Sequence, residues 1–283
     1  MHNLVRIEVI ALLLATGCGQ GNFSLSITDA PVDGASNVYV QFTGIELKSA
    51  KNEDVVVDFE QAKRIDLLAL QGENSEPLLQ GQVLSPGDYQ SITLKVDSSP
   101  NTSTIVVNGA EYSLEIPSGS ESGLKMVRGF TVPVIGSADF TVDFDLRKSV
   151  VLSNQGYKLK PALRLIDNVE VGHIKGNVDG TTLSSNGCGD SGNAIYVFQG
   201  ENATPSDMDS SGSITAVLTS ASLALDVINN TYHYEVGFLP SGSYTLALTC
   251  EANLDNPEQG DSLNFIAQNN VLAEAKKTTI QDF

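Results

Sequence analysis

Three groups of residues have types and spacings that chemistry could use. Gly189-Asp190-Ser191-Gly192 sets a serine between glycines, a form suited to a nucleophile. Such a serine needs a histidine base and an acid that orients the base. Beyond residue 17 the chain offers only His173 and His233; the first lies close in sequence and the second falls on the polar side of a strand-like run. An ordinary turn beside Cys188 is the better reading. Asp207-Met-Asp209-Ser-Ser211-Gly212 begins like a calcium loop, with oxygens at alternate positions and glycine at the sixth. Its twelfth position should be a bidentate Glu and is Leu218, so a site would need completing from elsewhere, for instance by Glu201. An acidic surface loop is the favoured expectation. Asp29 and Asp33 bracket a turn, and Asp143 and Asp145 share the outward face of one strand-like run. Paired carboxylates do acid–base work when burial separates their pKa values, whereas an i, i+2 pair on an outward face is ordinarily solvated. With no zinc-type cluster, phosphate-cradling glycine loop or dinucleotide fingerprint, no catalytic residue, metal ligand or cofactor is assigned.

The remaining reactive group is a thiol near the start. Residues 1–17 contain one basic residue, Arg6, followed by an apolar block from Val9 to Leu14. That block is too short for a bilayer, which takes about 20 residues, and suits the apolar region of a signal peptide. Ala15-Thr16-Gly17-Cys18 resembles the lipobox of bacterial lipoproteins, with Ala15 where Leu is usual. The resemblance implies that Cys18 is acylated and becomes the first mature residue. The membrane is then a partner through an N-terminal lipid anchor, stable where two or more acyl chains are carried. Gly19 after the cysteine implies the outer membrane, on its periplasmic or its exposed face. Only residues 19–22 separate Cys18 from the first strand-like run, so the first domain is held within roughly 15 Å of lipid.

With Cys18 acylated, Cys188 and Cys250 remain, and one disulfide is expected in an oxidising compartment. The alternative is two unpaired buried thiols. The 283 residues carry a net charge of −18, and removal of residues 1–17 takes away Arg6 and Glu8 and leaves it unchanged. Such a balance excludes nucleic acid as a partner, since binding it requires clustered Lys and Arg.

These residues need elements to position them, and the pattern is mostly period two. In residues 22–167, Phe23, Leu25 and Ile27 alternate up to a turn at Asp29-Ala30-Pro31. Val38, Val40 and Phe42 share one parity and Ile45 and Leu47 the other, with Gly44 at the flip, the signature of a β-bulge. Asp66 before Leu67-Leu68-Ala69-Leu70 and Gly72 suggests a capped helical turn. The spacing gives a β-sandwich with one short helix.

Several of these strings resemble the bacterial domain-of-unknown-function family 4382. They are Phe23 to Pro31, Val38 to Leu47, Ile65 to Leu70, Pro86-Gly-Asp-Tyr-Gln, Phe144-Asp-Leu and Tyr157 to Leu165. The resemblance implies a lipid-anchored, exported β protein and brings no catalytic residues.

From Val171 onward only Lys175, Lys276 and Lys277 are basic, which marks a second domain at residues 172–283. Tyr232, Tyr234, Val236 and Phe238 alternate, residues 239–243 turn, and Tyr244, Leu246, Leu248 and Cys250 alternate again. The expectation is a hairpin with Cys250 inward beside Tyr244. The string resembles the carboxypeptidase-regulatory-like (transthyretin-like) sandwich, a usually non-catalytic module. Residues 219–227 and 271–277 are ambiguous between strand and helix.

The expected protein is therefore all-β, with two antiparallel β-sandwich domains. It is lipid-anchored, not an enzyme, and has a binding or structural role toward an unknown envelope or extracellular protein or glycan. A sugar-stacking surface is disfavoured because the chain has no Trp. The alternatives are a surface hydrolase acting through distant carboxylates and a calcium-stabilised adhesin.

Overall fold

Alternating apolar residues build strands almost throughout the computed structural model, which describes residues 20–117, 123–209 and 215–283. The expected signal segment, Cys18 and the Ser211-Gly212 end of the calcium-like loop lie outside the described residues. Among the described residues, no helix is long and apolar enough to cross a membrane.

Residues 21–167 form two facing sheets. One has four strands, in the order Leu163–Asp167, Ser137–Asp145, Gly21–Ala30 and Glu76–Leu84. The other has nine and is centred on the long strand Ala35–Ser49. Phe23, Leu25 and Ile27 of one sheet meet Val38, Val40, Phe42, Ile45 and Leu47 of the other in a single buried core. At one end Phe23, Tyr89, Phe130 and Phe140 pack ring to ring, with Tyr89 and Phe130 stacked at 5.1 Å.

Register slips between Phe42 and Gly44 against both neighbouring strands, so the bulge at Gly44 is present and returns Ile45 and Leu47 to the core. Leu67–Leu70 is a 3-10 helix, but Asp66 does not cap it. The Asp66 carboxylate instead accepts from Asn37 Nδ2 at 2.6 Å and Val38 N at 3.0 Å. The sheets are mainly antiparallel, with three parallel pairings. One of these joins Gly21–Ala30 to Ser137–Asp145 and sets Asp29 opposite Phe144.

Residues 171–283 form two four-stranded sheets around a second core containing Ile174, Ile195, Val197, Tyr234, Leu246 and Leu248. The expected hairpin is not one. Thr231–Pro240 pairs with Val171–Asp179 in one sheet, while Gly242–Thr249 pairs with Ala194–Gln199 in the other. The turn is therefore a corner between layers; parity fixes which faces are apolar but does not decide whether two successive strands pair. Of residues 219–227 all but Leu223 and Val227 fall in the strands Val217–Ser222 and Ala224–Asp226, while residues 271–273 end the strand Phe265–Ala273 and residues 274–277 make a turn. Cys188 and Cys250 form a disulfide, their Cα atoms 5.4 Å apart, beside the second core.

Candidate functional site

Strand parity explains how the carboxylates gather. In Ser137–Asp145, Phe140, Val142 and Phe144 point into the first core, so Asp143 and Asp145 point outward. They are nevertheless 3% and 2% exposed. The expectation of a solvated pair is overturned because residues 171–283 cover this face. Asp29 continues the inward parity of Phe23, Leu25 and Ile27 at the end of its strand and is 4% exposed. The parallel pairing brings all three acids to one place.

Their neighbours differ. Asp143 is paired with Arg164, its cross-strand partner, whose Nε donates at 2.8 Å. Asp145 caps the one-turn helix Leu146–Ser149, accepting from Lys148 N at 3.2 Å, with Lys148 Nζ 3.2 Å from its Oδ2. Asp29 Oδ1 accepts from Leu146 N at 3.3 Å, while its Oδ2 has no hydrogen-bond partner among the described residues. Burial, reinforced by the charges of Asp143 and Asp145, holds the Asp29 carboxyl well above the usual carboxylate range. Burial also raises Asp145, against the opposing pull of Lys148.

Arg147 follows in the same short helix, 3% exposed. It reaches across to residues 171–283. Its Nε donates to Ser220 Oγ at 3.0 Å, Nη2 to Ser222 Oγ at 3.2 Å and Nη1 to Ala252 O at 3.3 Å. Nη1 is also ion-paired with Asp33. The guanidinium lies 5.8 Å from the centre of the Tyr196 ring. Burial pushes Arg147 down from the ordinary guanidinium value, opposed by Tyr196, Asp255 and Asp29. Lys148 Nζ donates to Val217 O, so two adjacent cations of one turn grip the same neighbouring strand.

The seam continues on both sides. Gly237 faces the loop at Gly72, and a Cβ there would collide with the Gly72 carbonyl. Thr278 Oγ1 donates to Glu73 at 2.9 Å. Phe238, at φ 52°, packs with Ile166 and Val171. His173 Nδ1 accepts from Phe238 N at 3.4 Å, which makes it a satisfied structural histidine.

Beyond Arg147 lies a second acidic group. Ala194–Gln199 is buried on both faces, with Ile195 and Val197 in the core and Tyr196 and Phe198 under covering loops. Tyr196 Oη donates to Asp255 at 2.6 Å, and the Asp255 carboxylate also accepts from Met208 N. Asp207, Asp255 and Asp261 bring carboxylate oxygens within 4.8 Å of one another. Asp209 comes near this group too, since its carboxylate and that of Asp207 both approach Gly260. Burial raises Asp255. Glu201, the residue expected to complete a site, instead accepts from Ser243 Oγ at 3.2 Å. Asp255 and Asp261 occupy that place, and a hard cation with oxygen ligands is the chemistry they would suit.

Several spaces adjoin the seam, one of them about 400 Å³ between Arg128, Leu163, Arg164, Leu218 and Pro240. The one at Asp29 and Asp143 amounts to about 10 Å³, room for a single water. A larger cleft of about 200 Å³ lies between Val32, Ile105, Arg147, Tyr157 and Asp255. Ser191 is exposed in a bend, and no histidine hydrogen-bonds it among the described residues.

Arg147, Tyr196, Asp255 and Asp261 were not singled out by sequence. A signal existed for Tyr196: the unbroken apolar run Ala194-Ile-Tyr-Val-Phe198 marks a strand buried on both faces.

A family model described as "Domain of unknown function (DUF4382)" matches residues 20–161. No curated protein matches the chain in sequence. Among solved structures, the Bacillus anthracis TIE protein is 11% identical at a TM-score of 0.20, over 94% of this chain and 34% of that one. This chain thus spans about a third of its length. The minor pilin GBS52 of Streptococcus agalactiae is 13% identical at a TM-score of 0.20, over 92% of this chain and 94% of that one. At such scores neither likeness informs fold or function.

Proposed function

The chain belongs to the DUF4382 family, and from that premise we propose that it is a lipid-anchored envelope protein of the outer membrane with a non-catalytic binding or structural role. In this reading Cys18 carries the lipid. The first sandwich is joined through the Arg147 seam to a transthyretin-like second sandwich, and the two act as one rigid body. Exposed loops and edge strands contact an envelope or extracellular protein or glycan, because sandwiches gather loops at their ends.

One observation carries the non-catalytic reading. Asp29, Asp143 and Asp145 are buried together, yet the space that Asp29 and Asp143 line has room for only a single water. Their partners Leu146, Lys148 and Arg164 belong to residues 21–167, and Lys148 reaches on to Val217 of the second half.

The anchor is tested in the native host. Labelling with a radioactive fatty acid is expected to mark the wild-type protein and not Cys18→Ser, and globomycin is expected to accumulate the unprocessed form. Unlabelled wild-type protein, or membrane partitioning unchanged by Cys18→Ser, contradicts it.

A second reading, calcium stabilisation, is favoured by the meeting of Asp207, Asp255 and Asp261. Calcium at about a hundredfold its dissociation constant adds about 2.7 kcal/mol to the native state. Calorimetry should then show a higher melting temperature with calcium than with chelator, and no such difference in Asp255→Asn. Equal melting temperatures in the wild type remove this reading.

A further inference from the structure

The first sandwich has a second end, opposite the Arg147 seam, where the strand Gly21–Ala30 begins. Four segments meet there; one is the turn after Ala35–Ser49, whose Ala50 N donates to Asp88 O at 2.9 Å and which carries the exposed Lys51, Glu53 and Asp54. Gly21 and Asn22 open the first strand opposite Leu84 and Val83, and Val132 pairs with Gly87. Gly21 packs against Val132 and Pro133, and Asn22 N donates to Gly136 O at 3.2 Å. Residues 20–26, 80–87 and 131–138 contain no charged side chain, in a protein of net charge −18. The nearest acids along these segments, Asp88 and Asp139, are hydrogen-bonded to Thr131 and Asn168.

At the tip of this pole the loop 133–136 holds two aliphatic side chains out of the protein. Val134 is 61% exposed and Ile135 is 90% exposed, with Val83 nearby at 48%. A turn in water ordinarily uses polar residues at its tip, and adjacent Val and Ile there bring no packing. Cys18 is three positions before Gly21 in the sequence, so at most about 11 Å of extended chain joins it to the strand that borders this loop.

We propose that Val134 and Ile135 insert into the bilayer beside the anchor, so that the first sandwich stands on the membrane by the loop 133–136. The inference rests on acylation of Cys18. Two aliphatic side chains bind a vesicle weakly, but beside a tether they act at high effective concentration. With the N-terminal pole on the membrane, the Arg147 seam at the other end of the first strand is directed away from it.

The chain has no Trp, so one introduced indole reports its own depth. The test uses full-length protein processed in the host and reconstituted into phosphatidylcholine vesicles with brominated acyl chains. Ile135→Trp carries the probe at the pole. Ile228→Trp is the control, on an exposed turn at the end of Thr231–Pro240 remote from the first sandwich. Both proteins should float with the vesicles. Ile135→Trp should emit at shorter wavelength and lose most of its emission to bromine, while Ile228→Trp keeps its emission. If the proteins float and Ile135→Trp is not quenched, or both are quenched alike, the insertion is wrong and the anchor stands. If neither floats, the anchor and the insertion fall together.

Discussion

Asp29 and Arg147 are opposite cases of a charged group taken out of water. Asp29 keeps one acceptor in use and leaves Oδ2 without a partner, facing two other acids. Its native pKa lies above the unfolded value of about 3.9. The native state therefore holds the proton more tightly, and its contribution is full below that unfolded pKa and lost as pH rises through the native one. Asp29→Asn cannot ionise, and its amide can donate toward the neighbouring carboxylates. It should melt higher than wild type at pH 8, with the gap closing as pH falls toward 4. A gap that widens toward acid would reverse the sign of this argument.

Arg147 has the reverse sensitivity. Removing one member of a buried ion pair costs about 3–5 kcal/mol, because the partner is left uncompensated. Arg147→Met should lose stability on that scale in urea titration. Arg147→Lys should recover little, since an ammonium cannot serve acceptors arranged around a planar fork. The position of Asp29 was legible in the sequence, as it shares the parity of Phe23, Leu25 and Ile27. Burial of Asp143 and Asp145 was not, because it depends on a surface more than 70 residues away in the chain.

At the level of elements, close approach decides where the halves touch. Gly237 allows its strand to lie against the loop at Gly72, and a methyl group there meets backbone rather than a movable side chain. Gly237→Ala should separate that loop from the strand, read as faster amide exchange at residues 71–74 and 236–238 with the cores unchanged. Protection equal to wild type would show that the approach is not needed.

The disulfide acts within the second sandwich. It joins residues 62 apart, and in the chain-entropy model such a loop stabilises by about 4 kcal/mol. Reduction should lower the unfolding midpoint of residues 171–283, measured by exchange at Ile195 and Leu246. Strands, the bulge at Gly44 and the inward side of Leu246 and Leu248 followed from local pattern. Sheet membership did not: the corner at residues 239–243 and the parallel partner of Gly21–Ala30 are set by long-range packing.

For the whole molecule, the seam decides whether two sandwiches behave as one body. Arg147 and Lys148 reach Val217–Ser222, Glu73 reaches Thr278, and Phe238 packs on Ile166. If Cys18 carries lipid as proposed, such coupling would fix the position of the second sandwich relative to the membrane. Composition and charge bounded the class of the protein, and the elements followed their periodicity. The seam was not legible, because its members come from at least six separate stretches with no shared motif.

Differential scanning calorimetry of the wild type and Arg147→Met tests the coupling most directly. The wild type should unfold in a single transition whose calorimetric and van't Hoff enthalpies agree, and Arg147→Met should split into two. Two separate transitions in the wild type, at temperatures that Arg147→Met leaves unchanged, would contradict it.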